Sequence, residues 1–429
     1  MKKMKAGCLL LIIMAVMLGC AVSVCAKSEV TYIFEEAVEN NDIHYSFDNG
    51  ILTVSGRGCV DDGYDSVCKK EEIKEVVIND GVTAIANYVF MGCTKLEKVS
   101  IPQTVSGIGY GVFRESNLRE ITIPSSVKSL GSYCLAFCKN LKKVTMPGDY
   151  VHYFEDGKDE LIMSNVDTIN LNSGFSEKNI CDFRASKIYT DSKDKKYKSF
   201  GGVIYTKNGK RLVMVPASTK KLVIRKGCTT VSMWAMSYSN DMEAEYEPVC
   251  KNLKSVTIPK TVKYIADDSD IEYPNYSVLG KCNWKVLSKK INGKNLANLF
   301  KMMNKKNIKK ILNSSDYKIK KIKNMYITKD QVLVYYDGKA KTVTIPKNVR
   351  VIADEVFMDN KYLRKVILSK NLREIGKEAF CYCFNLKKIE WGKKLRRVGK
   401  SAFDFTGLKN VKLPASVKKK GEHVFGEGL

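Results

Sequence analysis

Two apolar spacings alternate along most of the chain. In LEKVSI (96–101) the apolar Val99 and Ile101 are two apart, as on one face of an extended strand, and Pro102, which cannot donate to a ladder, ends the run. The run returns as LREITI (118–123), LKKVTM (141–146), LKSVTI (253–258), LRKVIL (363–368), LKKIEW (386–391) and LKNVKL (408–413). Between runs the apolar positions widen, so that one unit reads Ile-Pro-x-x-Val-x-x-Ile-x-x-x-Ala/Val-Phe-x-x-Cys-x-x-Leu-x-x-Val-x. Its anchors fall at Ile78, Ile101, Ile123 and Met146, at Ile224 and Ile258, and at Ile345, Leu368, Trp391 and Leu413, with steps of 23, 22 and 23, then 34, then 23, 23 and 22. A short unit of this kind cannot bury its own apolar side, so copies must stack, and stacking aligns the runs as a parallel sheet.

The period also explains the cysteines. Three residues past the Phe position stand Cys93, Ser116, Cys138, Asn360, Cys383 and Thr406, and Cys250 returns to this column after an 11-residue excess, SNDMEAEYEPV (239–249). Interchange of Cys, Ser, Thr and Asn suits a buried turn in which a small polar group bonds local backbone. Cys381 and Cys383 could share a metal as a Cys-x-Cys pair, but thiolate chemistry would not tolerate those swaps, so Cys383 reads as a ladder residue and neither cysteine as a ligand. No metal and no cofactor are expected.

The best copy, LREIGKEAFCYCFNLKKI (372–389), resembles the BspA-type leucine-rich repeat proteins of bacteria. SFDNGILTVSGRGCV (46–60) is similar to their N-terminal hairpin, with Asn49-Gly50 as a tight turn, and GGVIYTKNGKRLVMVP (201–216) to a strand pair found between such repeats. QVLVYYDGKAKTVTIPKNVRVI (331–352) resembles a second start of the array. The resemblance implies a β-rich repeat solenoid, a right-handed leucine-rich-repeat superhelix of 22–23-residue coils with a hairpin cap and a strand-lined concave face. It implies a secreted or cell-surface role in binding and adhesion, and no catalysis. The organisation expected is a signal peptide (1–26), a cap (27–77), repeats (78–147), a degenerate stretch (148–200), a hairpin and repeats with the acidic insertion (201–278), a Lys-rich helical insertion (279–325) and C-terminal repeats (326–429). VDTINL (166–171) and SKIY (186–189) read as degenerate strands, and Lys420 at a buried Ile position suggests an imperfect final cap.

The first 26 residues, with Lys2, Lys3 and Lys5 ahead of an apolar run to Val24, read as a secretory signal peptide cleaved before Lys27. Leu-Gly-Cys at 18–20 offers lipid attachment through Cys20 as an alternative, although Met17 and Leu18 are poor flanks for it. No second long apolar run follows, so no transmembrane segment is expected after cleavage.

Charge divides the chain unevenly. Of the net +26, residues 281–323 carry +13, from 14 lysines against the single acid Asp316, while residues 27–80 carry −8. Within the basic stretch Leu296, Leu299, Phe300, Met303, Ile308, Ile311 and Leu312 recur at helical spacing, which predicts helices with a lysine-rich outer face. Lys301, Lys305, Lys306, Lys309 and Lys310 are candidate contacts for an anionic wall polymer or acidic glycan. Nucleic acid is not the expected partner of an exported chain without a nucleic-acid-binding motif. On the concave face the outward strand positions are Lys98 and Ser100, Glu120 and Thr122, Lys143 and Thr145, Ser255 and Thr257, Lys365 and Ile367, Lys388 and Glu390, Asn410 and Lys412. Lys98, Lys143, Lys365, Lys388 and Lys412 are its candidate binding residues for an extracellular protein or glycan. Catalytic signals are weak: GIGYG (107–111) lacks the strand-to-helix setting of a phosphate loop, and His44, His152 and His423 are scattered.

The column makes a direct prediction. Cys383→Ser is expected to be tolerated, whereas Cys383→Leu overpacks the turn and costs roughly 1 to 3 kcal/mol in chemical denaturation.

Overall fold

The computed structural model describes residues 41–148, 150–153, 166–175, 185–232, 234–237, 250, 252–266 and 282–426. The signal peptide, Cys20 and the acidic insertion at 239–249 lie outside them. The described chain forms two compact units: one runs to Lys220 with 234–237, 250 and 252–253, the other holds 221–232, 254–266 and 282–426.

The first unit opens with a hairpin of β1 (Asp42–Asp48) and β2 (Ile51–Val60), turned by Asn49 and Gly50 at φ 49° and 88°, as an Asn-Gly pair allows. β2 is long enough to template two parallel ladders. Its first half pairs with β3 (Glu75–Ile78), and its second half pairs with β4 (Val82–Ile85). Lys98–Ser100 extends the β3 side; Gly107–Ile108, Ser129–Gly131 and Val151–Tyr153 extend the β4 side. Glu120–Thr122, Lys143–Met146, Val166–Leu171 and Ala185–Thr190 form a further parallel sheet. The two strands that read as degenerate in 148–200 are therefore full rungs. Expected hairpin 201–216 is present as Val203–Thr206 against Arg211–Met214.

In the second unit Lys221–Val223, Ser255–Ile258 and Asn283–Val286 stack in parallel, so the start of the supposed insertion is itself a rung. Helices α1 (Gly293–Lys301) and α2 (Lys305–Leu312) follow, and all seven apolar residues predicted on their inner side are buried. An antiparallel meander, Lys320–Ile322, Met325–Ile327 and Val332–Tyr336, then starts the last array. Val351–Ile352, Glu374–Ile375, Arg397–Val398 and Lys419–Lys420 continue from Val332–Tyr336, and Thr342–Thr344, Lys365–Ile367 and Lys388–Glu390 form the other sheet. LKNVKL is a correction to the sequence reading: Asn410, at φ 57°, leaves the extended region, and 408–413 forms no rung.

The turn that follows each second strand, after Ile352-Ala353 and after Ile375-Gly376, makes a third set of inter-coil bonds. Glu355, Phe357 and Asp359 donate their N–H groups to the carbonyls of Lys377, Ala379 and Cys381 at 3.0, 2.9 and 2.9 Å; Glu378, Phe380 and Tyr382 repeat this toward Lys400, Ala402 and Asp404. The outer two donors of each trio sit at positive φ: 57° and 58° in the first, 50° and 57° in the second. Left-handed backbone is unfavourable for such residues, and it recurs here because each twist aims an N–H along the stack. Inside this turn the phenylalanines stack, Phe357 on Phe380 at 4.9 Å and Phe380 on Phe403 at 5.1 Å, nearly parallel. Phe425 adds to Phe403 at 5.7 Å, so the final coil does pack, with the exposed Lys419 and Lys420 as a polar outer edge.

The small-residue column bonds farther than expected. Thr406 does bond its own turn, through Phe403 O at 2.8 Å, but the thiols of Cys138 and Cys383 donate to Phe113 O and Phe357 O of the preceding coil at 3.1 and 3.0 Å. Cys250 is buried in the same turn, its N-terminal neighbour in space being Val215 O at 3.6 Å from the sulfur. Asn360 and Thr406 are only half-buried. Burial pushes the Cys93, Cys381 and Cys383 thiols up to about 12, which holds them protonated at neutral pH, Cys383 as a thiol donor to a backbone carbonyl.

Glycine in the Ile-Gly pair is required by close approach rather than by an unusual φ. A Cβ on Gly399 would lie 2.4 Å from Lys377 N and 2.6 Å from Gly376 C of the coil before. Gly399→Ala is accordingly expected to force neighbouring coils apart and lower stability by about 1 to 3 kcal/mol, measured by urea unfolding, while an exposed control, Lys393→Ala, leaves it within about 0.5 kcal/mol.

Candidate functional site: the outward face of the ladder

Strand alternation turns one side chain in two away from the core, and parallel register stacks those side chains into rows. Val76 packs inward while Glu75 and Val77 face out, opposite Lys98 and Ser100 in the next coil. Glu120 and Thr122 stand likewise opposite Lys143 and Thr145. The candidate lysines are thus placed outward, but not as a basic patch. Lys98 Nζ meets Glu75 Oε1 at 2.6 Å and Lys143 Nζ meets Glu120 Oε2 at 3.7 Å, giving a column that alternates in sign. Both pairs are solvent-exposed and add little to stability; they set the pattern of charge that a partner meets. In the last array Lys365 faces Lys388 in register and reaches diagonally to Glu390. Lys412 is exposed beyond the last paired strand, so it does not join these rows. Ser255 and Thr257 are half-buried on their rung.

The helical candidates divide. Lys305, Lys306, Lys309 and Lys310 are exposed on α2. Lys301 is a correction: its side chain is only 6% exposed and pairs with Glu355 at 2.8 Å, because the last turn of α1 packs on the array. Lys305 and Lys309 also border a cleft of about 570 Å³ that Asp337, Glu355 and Asp359 share, so acids face part of that basic surface. The helices have a structural task as well. Asn295 Oδ1 accepts from Ile265 N at 2.9 Å and Asn298 Nδ2 donates to Ile265 O at 3.0 Å, so two amides of α1 occupy the edge of strand Tyr264–Ala266 as a neighbouring strand would. Asn307 of α2 similarly donates to Cys282 O at 3.0 Å.

Sequence reading missed one row. Arg350, Arg373, Arg396 and Lys418 each immediately precede a rung of the Val351–Ile352 ladder and are all exposed. Their steps of 23, 23 and 22 follow the repeat, and aligning the coils by the Val-x-x-Ile positions is the signal that finds them.

Stacked coils of constant length with open polar rows define a leucine-rich-repeat solenoid. The chain belongs to the BspA-type leucine-rich repeat family: the profile described as BspA type Leucine rich repeat region matches residues 64–189 and 330–428, in 6 copies. Among solved structures it is similar to a leucine-rich repeat protein from Eubacterium ventriosum (18% identity, 90% of this chain and 92% of that one, TM-score 0.37). It is also similar to the pneumococcal vaccine antigen PcpA (13% identity, 89% and 92%, TM-score 0.36). A leucine rich cell surface protein from Faecalibacterium prausnitzii is a third (17% identity, 81% and 92%, TM-score 0.32). The chain has no match among curated protein sequences. No helix among the described residues is long and apolar enough to cross a membrane.

The edge clasp generates a prediction. Asn295→Ala with Asn298→Ala strands the Ile265 N–H and C=O and is expected to lower stability by about 2 to 5 kcal/mol, with hydrogen exchange at Ile265 accelerating more than at Ile352.

Proposed function

We propose that the protein is an extracellular binding protein that acts in adhesion or ligand capture at the bacterial surface, after removal of residues 1–26 or with lipid attachment at Cys20. Its ligand is a protein or glycan held on the outward rows of the ladder. The alternation Glu75, Lys98, Glu120, Lys143 is the observation that carries this reading, together with the hydroxyls of Ser100, Thr122 and Thr145 in the adjoining row. Alternating charge beside hydroxyls attracts a polar surface of matching pattern, not a polymer of one sign. The rows stand on paired backbone, so little side-chain support has to reorganise when a ligand lands. A second reading, a wall-associated protein held to anionic polymers, is favoured by the four exposed lysines of α2.

Protein and glycan arrays probed with residues 27–429 separate the two. Lys98→Glu with Lys143→Glu makes the column uniformly acidic and is expected to weaken the captured ligand at least tenfold, about 1.4 kcal/mol. Lys305→Gln, Lys306→Gln, Lys309→Gln and Lys310→Gln together are expected to leave that ligand unaffected. Loss of binding in the α2 variant alone would transfer function to the insertion.

A further inference from the structure

We infer that the Arg350–Arg373–Arg396–Lys418 row is a second binding site, for a linear acidic polysaccharide carrying one carboxylate per sugar ring. Backbone bonds pin the row: Arg373 N, Arg396 N and Lys418 N donate to Arg350 O, Arg373 O and Arg396 O at 2.8, 2.8 and 2.9 Å. Coil follows coil at the strand spacing of about 4.8 Å, close to the length of one pyranose ring. A polymer lying along the stack would therefore meet about one base per ring, a guanidinium at the first three coils and an ammonium at the fourth. Single-strand phosphates in a duplex advance about 3.4 Å per nucleotide along a winding axis and fall out of step with the row.

Residue type points the same way. The bases of this chain are mostly lysine, yet three of the four residues in this row are arginine. Arginine's planar fork grips a carboxylate or a phosphate through two parallel hydrogen bonds, so residue type selects an oxyanion and the ring spacing selects the carboxylate polymer. No ion-pair partner is present for Arg350, Arg373, Arg396 or Lys418 among the described residues. Glu374, the acid beside them, is already engaged by Lys294 at 2.5 Å and Arg397 at 3.8 Å. Arg373, Arg396, Arg397, Lys394 and Glu374 line a cleft of about 550 Å³, so the row has depth as well as charge. Lys347, Lys370 and Lys393 extend it as a flanking column of exposed bases. This inference does not rest on the outward face of the other ladder, where Lys98 and Lys143 lie.

The experiment titrates residues 27–429 with oligogalacturonate, with poly(glycerol phosphate) and a DNA duplex of equal charge as comparisons. Oligogalacturonate is expected to bind tightest, and three neutralised contacts lower its affinity about 20- to 40-fold between 50 and 200 mM salt. Arg350→Lys, Arg373→Lys and Arg396→Lys together keep the charge but remove the forks, and are expected to lose tenfold or more with the circular dichroism melt unchanged. The three Gln replacements should reduce the log-log salt slope by about 2 to 3, and the four α2 lysine replacements should leave it alone. Equal affinity in the triple Lys variant, or tighter binding of either phosphate polymer, would overturn the inference. So would loss of binding through Lys98→Glu with Lys143→Glu, a result that leaves the ladder-face reading standing.

Discussion

Every coil must hand its backbone N–H and C=O groups to the coils on either side, and this single requirement organises the molecule. Buried backbone groups left unpaired are costly, and within itself a coil bonds only at a few tight turns, such as Leu372 N to Ser369 O, Cys383 N to Phe380 O and Leu386 N to Cys383 O. Two strands and one turn per coil supply the bonds, so the paired segments keep their length to about one residue, and a larger excess such as 239–249 is confined to the stretch between them. The 22-residue copies with Ser116 and Thr406 are at that limit. Glycine at 131, 376 and 399 and the left-handed residues at 355, 359, 378 and 382 are consequences: each lets one coil approach or address the next at bonding distance.

A stack that pairs through its edges must also end its edges. β1 pairs with the first half of β2 as an antiparallel strand, on the edge opposite β3. At Tyr264–Ala266 the edge is met by Asn295 and Asn298 instead, so a helix does with side-chain amides what a strand does with its backbone. The second unit starts its last array afresh from a meander and closes on Lys419 and Lys420, whose charge discourages further pairing.

Stacking turns single residues into rows, so the same charge means different things in different columns. Lys98 and Lys143 alternate with Glu75 and Glu120, and the row is neutral over those four coils. Arg350, Arg373 and Arg396 alternate with nothing, and their row accumulates one sign. A net charge of +26 is thus poorly informative about partners until the columns are known.

Much of this was legible in one dimension. The 22- and 23-residue steps, the Phe column, the Cys/Ser/Asn/Thr column and the Asn49-Gly50 turn follow from local spacing, because a repeat imposes its stacking contacts on every copy. The apolar spacing of α1 and α2 also identified their buried faces. Tertiary structure alone decided the rest, since those features depend on contacts between residues far apart in sequence. It showed that VDTINL and SKIY are rungs and that the Cys138 and Cys383 thiols reach a preceding coil. It turned Lys301 inward to Glu355, 54 residues on, and brought Asn295 to Ile265. Spacing tells which positions recur; only the pairing of one coil with another decides whether recurring side chains meet a partner, the core or open solvent.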